Sequence, residues 1–263
     1  MQWVIETKNL ASGYGDKLIL HDVSVQLQKG KVTCIIGGSG CGKSTFLKTL
    51  IGLVELKKGT AKVLGSSLFE TEGEARAQLL GRIGFMFQYG ALLNSISILD
   101  NLSIPLRAHS DLSPEVITEV VRAKLNLVHL GRAIRQLPSE LSGGMRKRAG
   151  FARAMMLDPE VILCDEPSAG LDPVTAADLD ALMLRMKKEL NITLVVVTHD
   201  LDSIQTIADR IVMLDKGYVH FDGTKEEANA SRDPKLREFF DRSAANAAGP
   251  GQSLFEVLSQ EHS

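Results

Sequence analysis

The segment KVTCIIGGSGCGKST, residues 31–45, limits the possible folds more than any other stretch of the chain. Its apolar start, KVTCII, reads as a buried strand. Four glycines then fall between Gly37 and Gly42, and the chain continues from Phe46 to Gly52 with the character of a helix. Strand, glycine-rich loop and helix in that order are the setting in which GxxxxGK[ST] has a defined geometry. Two further apolar runs, VILC at 161–164 and ITLVVVT at 192–198, alternate with helical patterns over Ala176–Leu190 and Leu201–Ala208. Continuous apolar runs separated by helices predict parallel strands buried on both faces, an α/β sheet.

Gly37, Gly38, Ser39, Gly40, Cys41 and Gly42 would let the backbone curl so that successive N–H groups face an oxyanion. Lys43 adds a point charge, Ser44 offers a hydroxyl to Mg²⁺, and Thr45 completes the run, so residues 37–45 are expected to hold the phosphates of ATP. Asp165 and Glu166 follow VILC directly, at the strand end where open α/β sheets bind ligands. Asp165 is the expected anchor for the metal's water shell, and Glu166 the general base or water-positioner for attack on the γ-phosphorus. His199 follows ITLVVVT and is placed to bond the γ-phosphate or the water; Gln88 follows the strand IGFMF and could ligate Mg²⁺ or the water. Tyr14, in a Ser-Gly-Tyr-Gly turn, is a candidate to stack on adenine or an ordinary turn tyrosine. Cys41, near a helix start, is expected to be more acidic than a free thiol and open to alkylation.

A second anion site is written at LSGGMRKRAG, residues 141–150, where Ser142, Gly143 and Gly144 open a helix. One nucleotide does not need two such sites in one chain. Two copies packed head to tail would place Ser142, Gly143 and Gly144 of one over the γ-phosphate held by the other. The basic trio Arg146, Lys147 and Arg148 has blander uses in solvent, with lobe carboxylates or at phosphate. A formal net charge of −2 and the lack of a coiled-coil insertion argue against nucleic acid as a partner.

Residues 3–36 read as short strands forming a small antiparallel layer, and residues from about 92 to 158 read as an inserted helical lobe in which SPEVITEVVRAKLNLVHL has a helical apolar spacing. The N-terminal residues lack a secretion-signal pattern, no apolar run approaches the ~20 residues needed to cross a bilayer, and the three cysteines fit neither a metal nor a disulfide pattern. SAANAAGPGQ, 243–252, has linker composition, and the LFEVL cluster beyond it reads as a tail or a docking segment.

The glycine loop, Gln88, LSGG, Asp165-Glu166, Leu171-Asp172 and His199 occur in the order and spacing of ATP-binding cassette (ABC) ATPases, which the chain resembles over about residues 4–240. The resemblance implies a P-loop NTPase core with an antiparallel β subdomain and an inserted helical subdomain, the cassette spanning 4–242. It also implies a nucleotide-sandwich dimer with a second copy, driving integral membrane permease subunits from the cytoplasmic face of the inner membrane. Gln88 and the lobe would couple to that partner, and Leu171-Asp172 would communicate between the two sites. Met145 replaces the usual Gln after LSGG, and SAGLD replaces SALD. LSGGM followed by RKR, with FQYGALLNSISILDNLSIPLR at 87–107, is similar to the ATPases of Mla/MCE-type lipid transporters, which implies lipid cargo and MCE-domain and small regulatory partners. An ABC ATPase serving amino acids, drugs or solvents is the alternative.

Overall fold

The structure is a computed structural model and describes residues 2–247. A hairpin opens the chain, strands β1 (Trp3–Tyr14) and β2 (Lys17–Gln28), followed by β3 (Val32–Ile36), helix α1 (Lys43–Leu50), β4 (Glu55–Val63), α2 (Gly73–Gly81) and β5 (Ile83–Met86). The lobe then contributes α3 (Ile98–His109), α4 (Pro114–Leu127), two 3₁₀ turns and α5 (Gly143–Ala154). The remainder alternates: β6 (Val161–Asp165), α6 (Pro173–Leu190), β7 (Thr193–Val197), α7 (Leu201–Ile207), β8 (Arg210–Asp215), β9 (Tyr218–Thr224), α8 (Lys225–Ala230) and α9 (Pro234–Ala247).

Six strands form the main sheet in the order β5-β6-β7-β3-β8-β9, parallel except for β9. Every residue of β3, β6 and β7 is buried, as their largely apolar sequences require. Alternation still decides which core each side chain enters. Val32, Cys34, Ile36, Ile162 and Cys164 face the layer of α3–α7, whereas Ile35, Val161 and Leu163 face α1 and the antiparallel sheet. That second sheet has the order β2-β1-β4. Each fully buried aliphatic side chain contributes about 1.5–3 kcal/mol relative to exposure, so the sheet is held from both sides. This is the α/β cassette architecture expected from the sequence.

Two local expectations need correction, and one helix was not anticipated. The turn expected at Ser12–Gly15 is strand as far as Tyr14; Tyr14 pairs with Lys17, leaving only Gly15 and Asp16 to turn. Helix α2 had no visible signal because it buries a single residue, Leu79, and so has no apolar stripe. Helix α9 runs through Ala247, past the linker start expected at 243, in keeping with the helix preference of its alanines. The rest of that linker and the LFEVL cluster lie outside the described residues.

Candidate active site

Register places the chemistry. Ile35 and Asp165 both pair with Val197, and Met86 pairs with Cys164, so β3, β6, β7 and β5 end level with one another. The residues that follow them, Gly37, Glu166, His199 and Gln88, are therefore delivered to one edge of the sheet. They line one cavity of about 660 Å³ together with Gly38, Ser39 and Lys43.

The loop adopts the curl that its glycines were expected to allow. At Gly37, φ is 139°, and a Cβ would lie 2.2 Å from the Leu214 carbonyl oxygen. At Gly42, φ is 109°, and a Cβ would lie 2.5 Å from Leu20 Cδ2. Lys43 Nζ donates to the carbonyls of Gly37 at 2.8 Å and Gly38 at 3.0 Å, which holds the ammonium over the loop. Ser44 Oγ donates to Asp165 Oδ1 at 2.7 Å, and Asp165 is buried. Gly40, Cys41 and Thr45 belong to the same loop and first turn, without lining the cavity.

The residues fit Mg²⁺ and a nucleoside triphosphate. A hydroxyl and a carboxylate side by side are hard oxygen donors, and no group of three His, Cys, Asp or Glu able to hold a metal exists among the described residues. Mg²⁺ is commonly held in this way, by one or two protein oxygens with phosphate oxygens and water completing the shell. When bound, Mg²⁺–ATP supplies the phosphoryl group and a metal that neutralises charge on its oxygens.

Glu166 and His199 are in direct contact, with His199 Nδ1 2.9 Å from Glu166 Oε1. Glu166 is a non-glycine residue in the left-handed region, φ 51°, and its N–H donates to Val197 O at 2.9 Å. Its carbonyl accepts from Lys147 Nζ at 3.1 Å, and the same ammonium donates to the Gln88 carbonyl. The sequence did not single out Lys147 within its basic trio. Arg146 donates to Leu141 O at 2.8 Å and Arg148 pairs with Asp178 at 3.5 Å, so each of the three cations has an internal partner.

Other residues depart from expectation. Cys41 is buried, and that burial pushes its thiol up rather than down, outweighing the lowering effect of Lys43 at the helix start; the expected acidity is overturned by desolvation. Tyr14 is 53% exposed and does not line the cavity. Ser142, Gly143 and Gly144 also lie outside it. Ser142 caps α5 by accepting from the Met145 N–H at 3.2 Å, and the Met145 side chain packs against the core, which explains an apolar residue at this position. Met213, Asp215, Lys235, Glu238 and Phe239, none anticipated, complete the cavity wall. Lys235 pairs with Asp215, whose carboxyl it holds below the usual range. Helix α9 gave no signal for this role, because nothing in its local pattern reports where it docks.

Comparison with known proteins agrees with this geometry. Residues 20–169 match the sequence family described as ABC transporter. A probable ribonucleotide transport ATP-binding protein, mkl, of Mycobacterium leprae (strain TN) is 39% identical over 235 residues, 89% of this chain and 68% of that protein. The intermembrane phospholipid transport system ATP-binding protein MlaF of Haemophilus influenzae (strain ATCC 51907 / DSM 11121 / KW20 / Rd) is 38% identical over 238 residues, 90% of both chains. Among solved structures, a dimeric ATP-binding cassette, MJ0796, bound to ADP and Pi superposes with a TM-score of 0.76 at 28% identity, covering 84% of this chain and 98% of that one. With its fold, its P-loop and these relatives taken together, the chain belongs to the ABC transporter family, as an ATP-binding and ATP-hydrolysing motor subunit that works with Mg²⁺.

Proposed function

We propose that this subunit drives a membrane transporter of lipids, of the Mla/MCE type, from an ATP-sandwich homodimer. The observation that carries the lipid reading is the likeness to a phospholipid-transport ATP-binding protein along 90% of both chains. The LSGGM-RKR run and the 87–107 segment support it from the sequence. A ribonucleotide cargo is the second reading, favoured by the name of the mycobacterial relative at 39% identity.

In this reading Lys43 and the backbone of residues 37–45 hold the phosphates, while Ser44, Asp165 and Gln88 supply the metal's protein oxygens. Glu166 takes the proton of the attacking water, and His199, hydrogen-bonded to it, orients the carboxylate toward the γ-phosphate. Tyr14 stacks on the adenine from outside the cavity. Ser142, Gly143 and Gly144 cover the partner copy's γ-phosphate, which accords with their place outside their own chain's cavity and with the dimeric form of the MJ0796 cassette. Leu171-Asp172 lies against this lid: a Cβ on Gly143 would be 3.5 Å from Leu171 Cδ2.

No helix among the described residues is long and apolar enough to cross a membrane, so permease subunits are the proposed membrane attachment. Beside Gln88, Tyr89 is 86% exposed and Leu93 is 52% exposed, apolar surface next to the site where a permease segment would sense the nucleotide. MCE-domain and small regulatory subunits are proposed as further partners; nucleic acid is not. Purification from solubilised membranes, with identification of the retained subunits and bound small molecules, tests the reading. Permease subunits carrying phospholipid are expected; retention of a nucleotide-transport permease with no lipid would favour the second reading.

A further inference from the structure

Lys147 is 8% exposed, a buried lysine on the second turn of α5. Helix α5 has other means of attachment. A Cβ on Gly150 would lie 3.0 Å from Gly90 Cα, Phe151 is fully buried, and Arg153 donates to Ala91 O. Desolvating an ammonium is costly unless it is paired and hydrogen-bonded. Here two backbone carbonyls, those of Gln88 and Glu166, provide that compensation, and the carboxylates of Glu166 and Asp165 favour the charged form. Burial still leaves the ammonium more acidic than a free lysine. A neutral side chain would meet the packing need at lower cost, so the cation marks a demand beyond packing.

The two carbonyls belong to the residues assigned to metal or water ligation and to proton abstraction. Glu166 needs such a tether, since its left-handed backbone is strained for a residue with a side chain. The same helix begins at Ser142, five residues before Lys147, a distance of about 8 Å along a rigid helical rod. Movement of that helix start on the partner's nucleotide therefore pulls on both carbonyls in its own site.

We infer that Lys147 is a positioning residue that couples the Ser142–Gly144 lid over one nucleotide to Gln88 and Glu166 at the other. The inference rests on the composite-site reading given under Proposed function.

The test is steady-state ATPase of the full-length protein with Lys147→Arg, Lys147→Gln and Lys147→Met, reading kcat, KM, the Hill coefficient for ATP, and Tm. A displacement of about 1 Å at reacting groups costs on the order of 10²-fold in rate. K147M is therefore expected to lose between about tenfold and 10²-fold in kcat with KM changed less than about threefold, and to lower the Hill coefficient toward 1. K147R, which retains donors for both carbonyls, is expected to recover more kcat than K147Q. Wild-type kcat and Hill coefficient in K147M would overturn the inference. So would a loss of kcat that follows Tm across the series, because that is the mark of mere packing. If K147M does not fold, K147R and K147Q decide by the same ordering. Glu166→Gln measured alongside separates the two levels: if it retains wild-type turnover, the composite-site reading fails, whereas a dead Glu166→Gln beside an unaffected K147M removes the coupling alone.

Discussion

At single residues the strongest expectations follow from contacts in the cavity. Glu166 sits with His199 at the end of β6, so Glu166→Gln is expected to lower turnover by about 10²–10⁴-fold while ATP still binds, trapping a dimer visible by sizing. Unchanged turnover would strip Glu166 of its role. The burial of Cys41 reverses the expectation from sequence: the folded protein should react with iodoacetamide far more slowly than the protein in denaturant, followed by mass spectrometry. Asp180, buried on α6 and accepting from Ser203 Oγ at 2.6 Å, is pushed up to about 6 by burial, despite that hydrogen bond. A carboxyl raised in the folded state favours folding most below its unfolded value of about 4, and that contribution is lost as pH rises through about 6. Asp180→Asn should therefore raise Tm at pH 8 more than at pH 5; an equal shift at both would contradict the assignment. The sequence concealed these two effects, because burial is a property of the packed layers and not of the neighbours of Cys41 or Asp180 along the chain.

Among the elements, those with a strong local signature were legible and those defined by docking were not. β3, β6 and β7 could be read because a strand buried from both sides is mostly apolar, with Thr33, Asp165 and Thr193 the polar residues among their fifteen positions. Gly37, Glu166 and His199 were readable as strand-end residues because each comes within two residues of the end of an apolar run, whereas the level ends that make them neighbours belong to the register. Helix α2 lacks a stripe, and α9 places Lys235 and Phe239 in the cavity through packing that no local pattern encodes. Helix α5 allows capping and lid roles to be separated. Ser142 caps it through the Met145 N–H, and aspartate caps about as well as serine. Ser142→Asp should keep Tm near wild type yet place a carboxylate against the partner's γ-phosphate, abolishing turnover; full activity would mean that the serine is only a cap.

For the whole molecule, the cavity is lined by one chain and Ser142, Gly143 and Gly144 are not among its lining residues; in the proposed reading a complete reaction centre therefore takes two copies. Closure by ATP and release on hydrolysis would then convert the loss of one phosphate into relative motion of two lobes, which is what a permease attached beside Gln88 could use. The most direct measurement mixes Lys43→Ala protein, which has a sound lid, with Ser142→Asp protein, which has a sound phosphate loop. Half of the dimers in an equal mixture are mixed, and each has one intact site, so turnover is expected to rise above that of either variant, to at most about a quarter of wild type because the two sites are coupled. A mixture no faster than the sum of the two variants measured separately would contradict shared sites.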